Sequence, residues 1–140
     1  MFFKLYFVDF KMPSFYQDAA GEYLKRLQKY CKMEVISDKN QKALLKKIQS
    51  DWPCLLLTPK GRCLSSEELA ARIEDMEQRG NARWSILIAN EDKQLYEKLS
   101  GPVVQMALTP LFLSEGLTLV TALEQIYRAY KIIHKEPYHK

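Results

Sequence analysis

The apolar residues of this chain switch repeatedly between the period of a strand and the period of a helix. Residues 2–9 are aromatic and aliphatic, broken by Lys4, and read as a strand. After Pro13, Ser14 is placed to cap a helix over residues 14–30, with Phe15, Ala19, Tyr23, Leu24 and Leu27 turned inward. A short extended stretch is expected at 33–37. A second helix at 41–50 would turn Leu44, Leu45 and Ile48 inward and Lys42, Lys46 and Lys47 outward. Residues 54–57 are apolar without interruption, as in a strand buried on both faces, and Pro59, Lys60, Gly61 and Arg62 then read as a loop turning at the glycine. Ser65 and Glu68 have capping-box spacing for a helix ending near Gly80. Residues 84–89 make another buried strand, 93–99 a short helix and 103–107 a last strand.

Such alternation predicts one α/β domain over residues 1–140, a mostly parallel sheet with helices on both faces. Ligands in that architecture sit at the carboxyl ends of strands, here the loops 58–63, 90–93 and 108–116. The last third is a proline-punctuated loop, an apolar helix and a basic tail. Leu117, Val120, Leu123, Ile126, Tyr127, Tyr130 and Ile133 mark one broad face of that helix, and Leu119, Ala122, Ala129 and Ile132 cover much of the rest. A surface helix carries an apolar arc of about 100°. This one is expected to be covered on two sides, by its own domain and by a second copy. Its polar positions, Glu124, Gln125, Arg128, Lys131 and His134, cluster toward the end. Pro137 then bends the chain into Tyr138, His139 and Lys140; a frayed basic terminus is the plain alternative.

Composition narrows the classes. The chain has 140 residues, enough for one sizeable core, and no apolar run long enough to span a membrane. Its amino end reads as a first strand rather than a signal peptide. Cys31, Cys54 and Cys63 are odd in number and widely spaced, which suits reduced thiols in a cytoplasmic protein. His134 and His139 lie five residues apart, a spacing that would not share a helical face well, so no metal site is expected. Phosphate-cradling glycine loops and nucleophile-elbow serines are absent. A net charge of +4 permits a nucleic-acid partner without demanding one. Basic residues at Lys11, Lys25, Arg26, Lys29, 39–47 and 128–140 alternate with Phe15, Tyr16, Tyr130 and Tyr138, a mixture that suits RNA and equally a solvated surface over core aromatics.

Three segments carry a resemblance. KMPSFYQDAAGEYLKRL (11–27), LTPKGRCLSSEELAARI (57–73) and LEQIYRAYKIIHKEPYHK (123–140) resemble the opening, middle and final signatures of the RlmH family in the SPOUT superfamily. The resemblance implies a SPOUT α/β fold with a C-terminal deep trefoil knot. It implies a homodimer that uses S-adenosylmethionine to methylate N3 of a pseudouridine in 23S rRNA. The cofactor positions fall on Leu57, Ala89, Leu108, Thr109, Pro110, Leu111, Phe112 and Leu113. The catalytic tail falls on Tyr138, His139 and Lys140, with the tail of one subunit reaching the other's cofactor. Arg128, Lys11 and Lys140 are the RNA-binding candidates. His139 is a candidate for the N3 proton, and Lys140 for phosphate or developing charge.

The chain also departs from the family. Where the family has two glycines and a third shortly after, this chain has IANEDK (88–93). Ser114, Glu115 and Leu119 replace a proline, a histidine and an arginine, and Thr58 stands where an acidic residue is usual. Two readings follow: an active rRNA methyltransferase, or a silent relative that keeps knot and dimer and binds RNA or a protein. A flavodoxin-like binding domain requires the terminal motif to be coincidence.

Overall fold

In the computed structural model the described residues are 1–8, 12–48, 51–89, 99 and 103–139. Phe2–Val8 (β1), Lys32–Asp38 (β2), Cys54–Cys63 (β3), Arg83–Ile88 (β4) and Val103–Ala107 (β5) pair in parallel, in the order β2-β1-β4-β3-β5. Ser14–Leu27 (α1), Gln41–Lys47 (α2), Ser66–Gln78 (α3) and Glu115–Ile133 (α4) cover it. Successive strand side chains point to opposite faces, so the continuous apolar runs serve two cores. Phe3, Leu5, Leu55, Leu57 and Ile86 meet α1, α3 and α4 on one face. Tyr6, Val8, Leu56 and Leu87 meet Leu44 of α2 on the other. The architecture is the expected one, helices on both faces included.

Local departures have local causes. Ser14 does not cap α1: Pro13 occupies the N-cap position with no side-chain hydrogen bond, and Ser14 is the first helical residue. That helix ends at Leu27 rather than near residue 30, with Ala20 and Leu27 buried and Phe15, expected inward, 63% exposed. Phe15 lies at the start of the helix, where its ring meets that of Tyr16 and otherwise faces solvent. α2 stops at Lys47 because Ile48 turns extended, its N–H returning to the Leu45 carbonyl. The capping box of α3 forms as expected, Glu68 N–H donating to Ser65 Oγ and Ser65 N–H to Glu68 Oε2. Gly80 takes φ +75° just beyond the helix.

The expected loop at residues 59–62 is instead strand. β3 continues to Cys63, but its register against β5 breaks: Leu57 and Arg62 are both matched with Met106. The proline and glycine fall inside that break, where no ladder hydrogen bond to β5 is needed from Pro59. The helix expected over residues 93–99 lies outside the described residues except for Leu99, which packs half-buried on the second core.

The second copy inferred for α4 from its apolar girth is not needed to bury it. The helix lies against α1 and α3 with the sheet beneath, so its own domain covers Leu119, Ala122, Leu123, Ile126, Ala129 and Tyr130. Leu117, expected on the inner face, is 40% exposed.

Candidate active site

Three carboxyl-terminal strand ends converge. Ala89, just past β4, donates its N–H to the carbonyl oxygen of Leu57 in β3 at 2.9 Å, and both residues are buried. Leu64, following β3, donates to the carbonyl of Ala107 at the end of β5. From there residues 108–113 pass over the strand ends. Leu108, Thr109, Leu111 and Leu113 line a cleft with Leu57, Thr58, Pro59 and Thr118. Thr109 Oγ1 accepts from the Leu111 N–H at 3.3 Å, which folds the loop tip, while Pro110, Leu111 and Phe112 face solvent. Thr58 is buried, and its hydroxyl accepts from the Lys60 N–H at 3.3 Å across the register break. The cleft measures about 20 Å³. On the inner side of Leu57 and Leu108 lies an apolar cavity of about 230 Å³, with Ser66 and Gln125 at its edge. The Ser66 hydroxyl donates to Gln125 Oε1 there at 2.6 Å.

The same loop delivers the start of α4. Ser114 is a full N-cap: its Oγ accepts from Leu117 N–H, and its carbonyl accepts from both the amide and the hydroxyl of Thr118. Gly116 follows because the Tyr16 ring of α1 occupies the space a Cβ would take. The two helix N-termini therefore lie side by side.

At the far end of α4 the chain reverses. Lys135 takes φ 55°, with its N–H on the Ile132 carbonyl and the Glu136 N–H on the Lys131 carbonyl. That pair of bonds is a Schellman motif. Glu136 accepts from the Tyr30 hydroxyl at 2.8 Å and from Lys131 Nζ at 3.0 Å, fastening the base of the tail to α1 and α4. Tyr138 then lies edge-on to Tyr127, beneath the Arg128 guanidinium at 4.8 Å, and donates its hydroxyl to Glu124. His139 reaches Arg128 with Nδ1 and Glu67 of α3 with Nε2.

Of the expected tail residues, Arg128, Tyr138 and His139 are thus brought together. Lys140 and Lys11 lie outside the described residues, as does the loop 90–93. Arg128 is committed: its Nε and NH2 both bond Glu124 Oε1, at 3.0 and 2.7 Å, and this carboxylate holds the guanidinium protonated beyond its ordinary range. Burial pushes the Tyr138 hydroxyl pKa above the usual phenol range, Glu124 adding to it, so Tyr138 is a hydrogen-bond donor here. Tyr130, one of the aromatics expected to interleave with basic residues, is instead core, its hydroxyl donating to Glu77. Cys31 and Cys54 are thiols whose pKa burial raises to about 11. Among the described residues no acidic, histidine and cysteine cluster suits a metal, and no helix is long and apolar enough to cross a membrane.

Glu124 stands out in the sequence only as a polar position of the last helix, and Glu67 not at all. Glu124 carried a signal, since it stands four residues before Arg128 on one helix. Glu67 carried none, being 72 residues from the ring it bonds.

A parallel α/β sheet with a loop-lined cleft at three strand ends, and a helix and tail folded back beside it, places the chain among α/β proteins with a ligand site at the strand ends. Residues 1–139 match the family described as "Predicted SPOUT methyltransferase", and the chain belongs to that family. It is 38% identical over 140 residues, the whole of both chains, to the ribosomal RNA large subunit methyltransferase H 1 of Thermoanaerobacter sp. (strain X514). It is 34% identical to the ribosomal RNA large subunit methyltransferase H of Clostridioides difficile (strain 630), covering 85% of this chain and 87% of the relative. The like-named protein of Mycoplasma mycoides subsp. mycoides SC is 32% identical, over 90% of this chain and 91% of its own.

Proposed function

We propose that this protein methylates N3 of a pseudouridine in 23S rRNA of the large ribosomal subunit, as a cytoplasmic homodimer using S-adenosylmethionine. The observation that carries the reading is the convergence of Leu57, Ala89 and the loop 108–113 at the ends of β3, β4 and β5. The cleft offers apolar walls, main-chain groups and the side chains of Thr58 and Thr109, with no cationic side chain among its described lining residues. That donor set fits S-adenosylmethionine, which has an adenine, sugar hydroxyls and an amino-acid end but no phosphate. When bound, the cofactor supplies an electrophilic methyl carbon on a sulfonium. A cleft of about 20 Å³ holds no more than a water, so residues 108–113 swing outward to admit it.

Leu57, Ala89, Leu108, Thr109, Pro110, Leu111, Phe112 and Leu113 hold the cofactor. Arg128 and Lys11 meet RNA phosphates. Tyr138, His139 and Lys140 align the base, His139 taking the N3 proton and Lys140 meeting negative charge. The tail of one subunit serves the cofactor of the other, and a trefoil knot in the last third fastens the cofactor loop. The dimer seam is the exposed apolar group Phe15, Leu111, Phe112 and Leu117, gathered where Tyr16 packs on Gly116. Titration calorimetry with S-adenosylmethionine, then methyl transfer to large subunits lacking the modification, tests the reading. Stoichiometric binding and mass-spectrometric detection of N3-methylpseudouridine are expected. No heat at millimolar cofactor would leave the silent dimer.

A further inference from the structure

We propose that Glu67 is the positioning residue for His139, fixing its ring as the Nε2–H tautomer so that Nδ1 is the nitrogen that takes a proton. The proposal rests on the reading of His139 as the acceptor of the N3 proton. Its basis is the chemistry of the two partners. Nε2 stands 2.7 Å from Glu67 Oε1, and an ionised carboxylate can only accept, so the hydrogen sits on Nε2. Nδ1 stands 3.2 Å from Arg128 NH1, and a guanidinium can only donate, so Nδ1 presents its lone pair. Two helices impose the same tautomer independently, Glu67 from the first turn of α3 and Arg128 from the middle of α4.

Both partners are themselves held. Arg128 is fixed by two bonds to Glu124 Oε1, which also receives the Tyr138 hydroxyl. Of the adjacent glutamates at the start of α3, Glu68 is committed to the capping box and to Arg62, which leaves Glu67 to the ring. The His139 contact draws the Glu67 carboxyl below the usual glutamate range, so the carboxylate persists at neutral pH. A carboxylate behind an imidazole fixes the orientation and the tautomer of the ring. Among the described residues, the charged and titratable groups around the ring are Glu67, Arg128, Glu124 and Tyr138.

In the step assigned to His139 the N3–H bond breaks, its electron pair stays on N3, and the proton comes to rest on Nδ1. Arg128 NH1 faces that nitrogen beforehand, and two N–H groups cannot face each other. The NH1–Nδ1 contact must therefore open as the proton arrives, while Nε and NH2 stay on Glu124. Glu67 never touches the base; it acts through the ring.

The test uses the full-length dimer and the variants Glu67→Ala, Glu67→Gln and Glu67→Asp. Glu67 is exposed, so these variants fold. Long-range proton–nitrogen NMR spectra report the His139 tautomer, and single-turnover methylation of large subunits with saturating cofactor reports the rate against pH. The unaltered chain should show Nε2–H, and Glu67→Ala a mixture of tautomers. The kcat of Glu67→Ala should fall about 10- to 100-fold with KM for RNA within about twofold, and Glu67→Asp should recover most of it. A Nδ1–H ring in the unaltered chain, or a tautomer indifferent to Glu67→Ala, overturns the proposal. If His139→Ala transfers methyl at full rate while the tautomer still follows Glu67, the contact stands and the proton-acceptor reading falls.

Discussion

The backbone of Met106 lies so close to Gly61 that a Cβ on that glycine would stand 2.6 Å from the Met106 nitrogen and 2.7 Å from its Cα. Main chain in a paired strand cannot move aside as a side-chain tip can. The glycine is therefore required by the approach of β5, not by a turn. Gly61→Ala should cost about 2–3 kcal/mol, the upper part of the range for overpacking. Equilibrium urea denaturation at fixed protein concentration measures it, and a loss below about 0.5 kcal/mol would mean that β3 and β5 separate easily.

That relationship also shows where the sequence ran out. Pro59 and Gly61 carry strong local turn signals, and the pairing that overrides them lies more than 40 residues away in β5. The strands and α3 were legible because period, continuous apolar runs and a capping box all act within a few residues. Phe15 misled because helical spacing says which residues share a face and not whether anything covers it. The proposed cofactor positions come from the family resemblance, and the strand-end pattern points to the same loops. The clustering of His139 with Glu67 depends on how α3 and α4 pack, which no local pattern encodes.

Glu124 is the anchor of the tail. It accepts from Arg128, Tyr138 and the Gln125 amide while its side chain is only 17% exposed. Glu124→Ala leaves the guanidinium unpaired and the tyrosine hydroxyl without its acceptor. A stability loss of about 1–2 kcal/mol is expected, discounted from buried-pair values for the partial exposure. The more telling readout is local: amide exchange at residues 137–139 should accelerate at least tenfold, while α3 keeps its protection. Unchanged exchange in the tail would show that Tyr127 and Arg128 hold Tyr138 without help.

Acid should release the tail before it unfolds the sheet. The Glu67 carboxyl is held below its ordinary range by His139, and the Glu136 carboxyl by the Tyr30 hydroxyl and then Lys131. Depressed carboxyls contribute fully above the unfolded value, near about 4.3, and lose that contribution as pH falls through the lower folded value. Lys131 is shifted the other way, upward by Tyr30 and Glu136. Its contribution is complete below about 10.4 and is lost only as pH rises beyond the raised value. The tail should thus be docked from about pH 5 to pH 10 and should loosen only once the pH has fallen below the ordinary carboxyl range, under about 4. Limited proteolysis with an acid-active protease would show it as clipping near residues 135–137, with the sheet still intact by circular dichroism. Clipping equal at pH 3.5 and pH 6 would contradict the assignment.

Lys135 offers the converse experiment, a substitution expected to stabilise. It occupies the left-handed position of the Schellman motif, φ 55°, where an ordinary side chain costs about 1–2 kcal/mol. Glycine removes that cost but gains freedom in the unfolded chain worth about 0.5–1 kcal/mol. Lys135→Gly should therefore raise stability by roughly 0.5–1 kcal/mol, and Lys135→Val should lower it, because β-branching makes this backbone harder to adopt. Since the reversal at residue 135 aims Tyr138 and His139 at Arg128 and Glu67, both effects should track tail protection in hydrogen exchange. A Lys135→Gly chain less stable than the unaltered one would mean that the lysine side chain makes a contact worth more than its backbone strain.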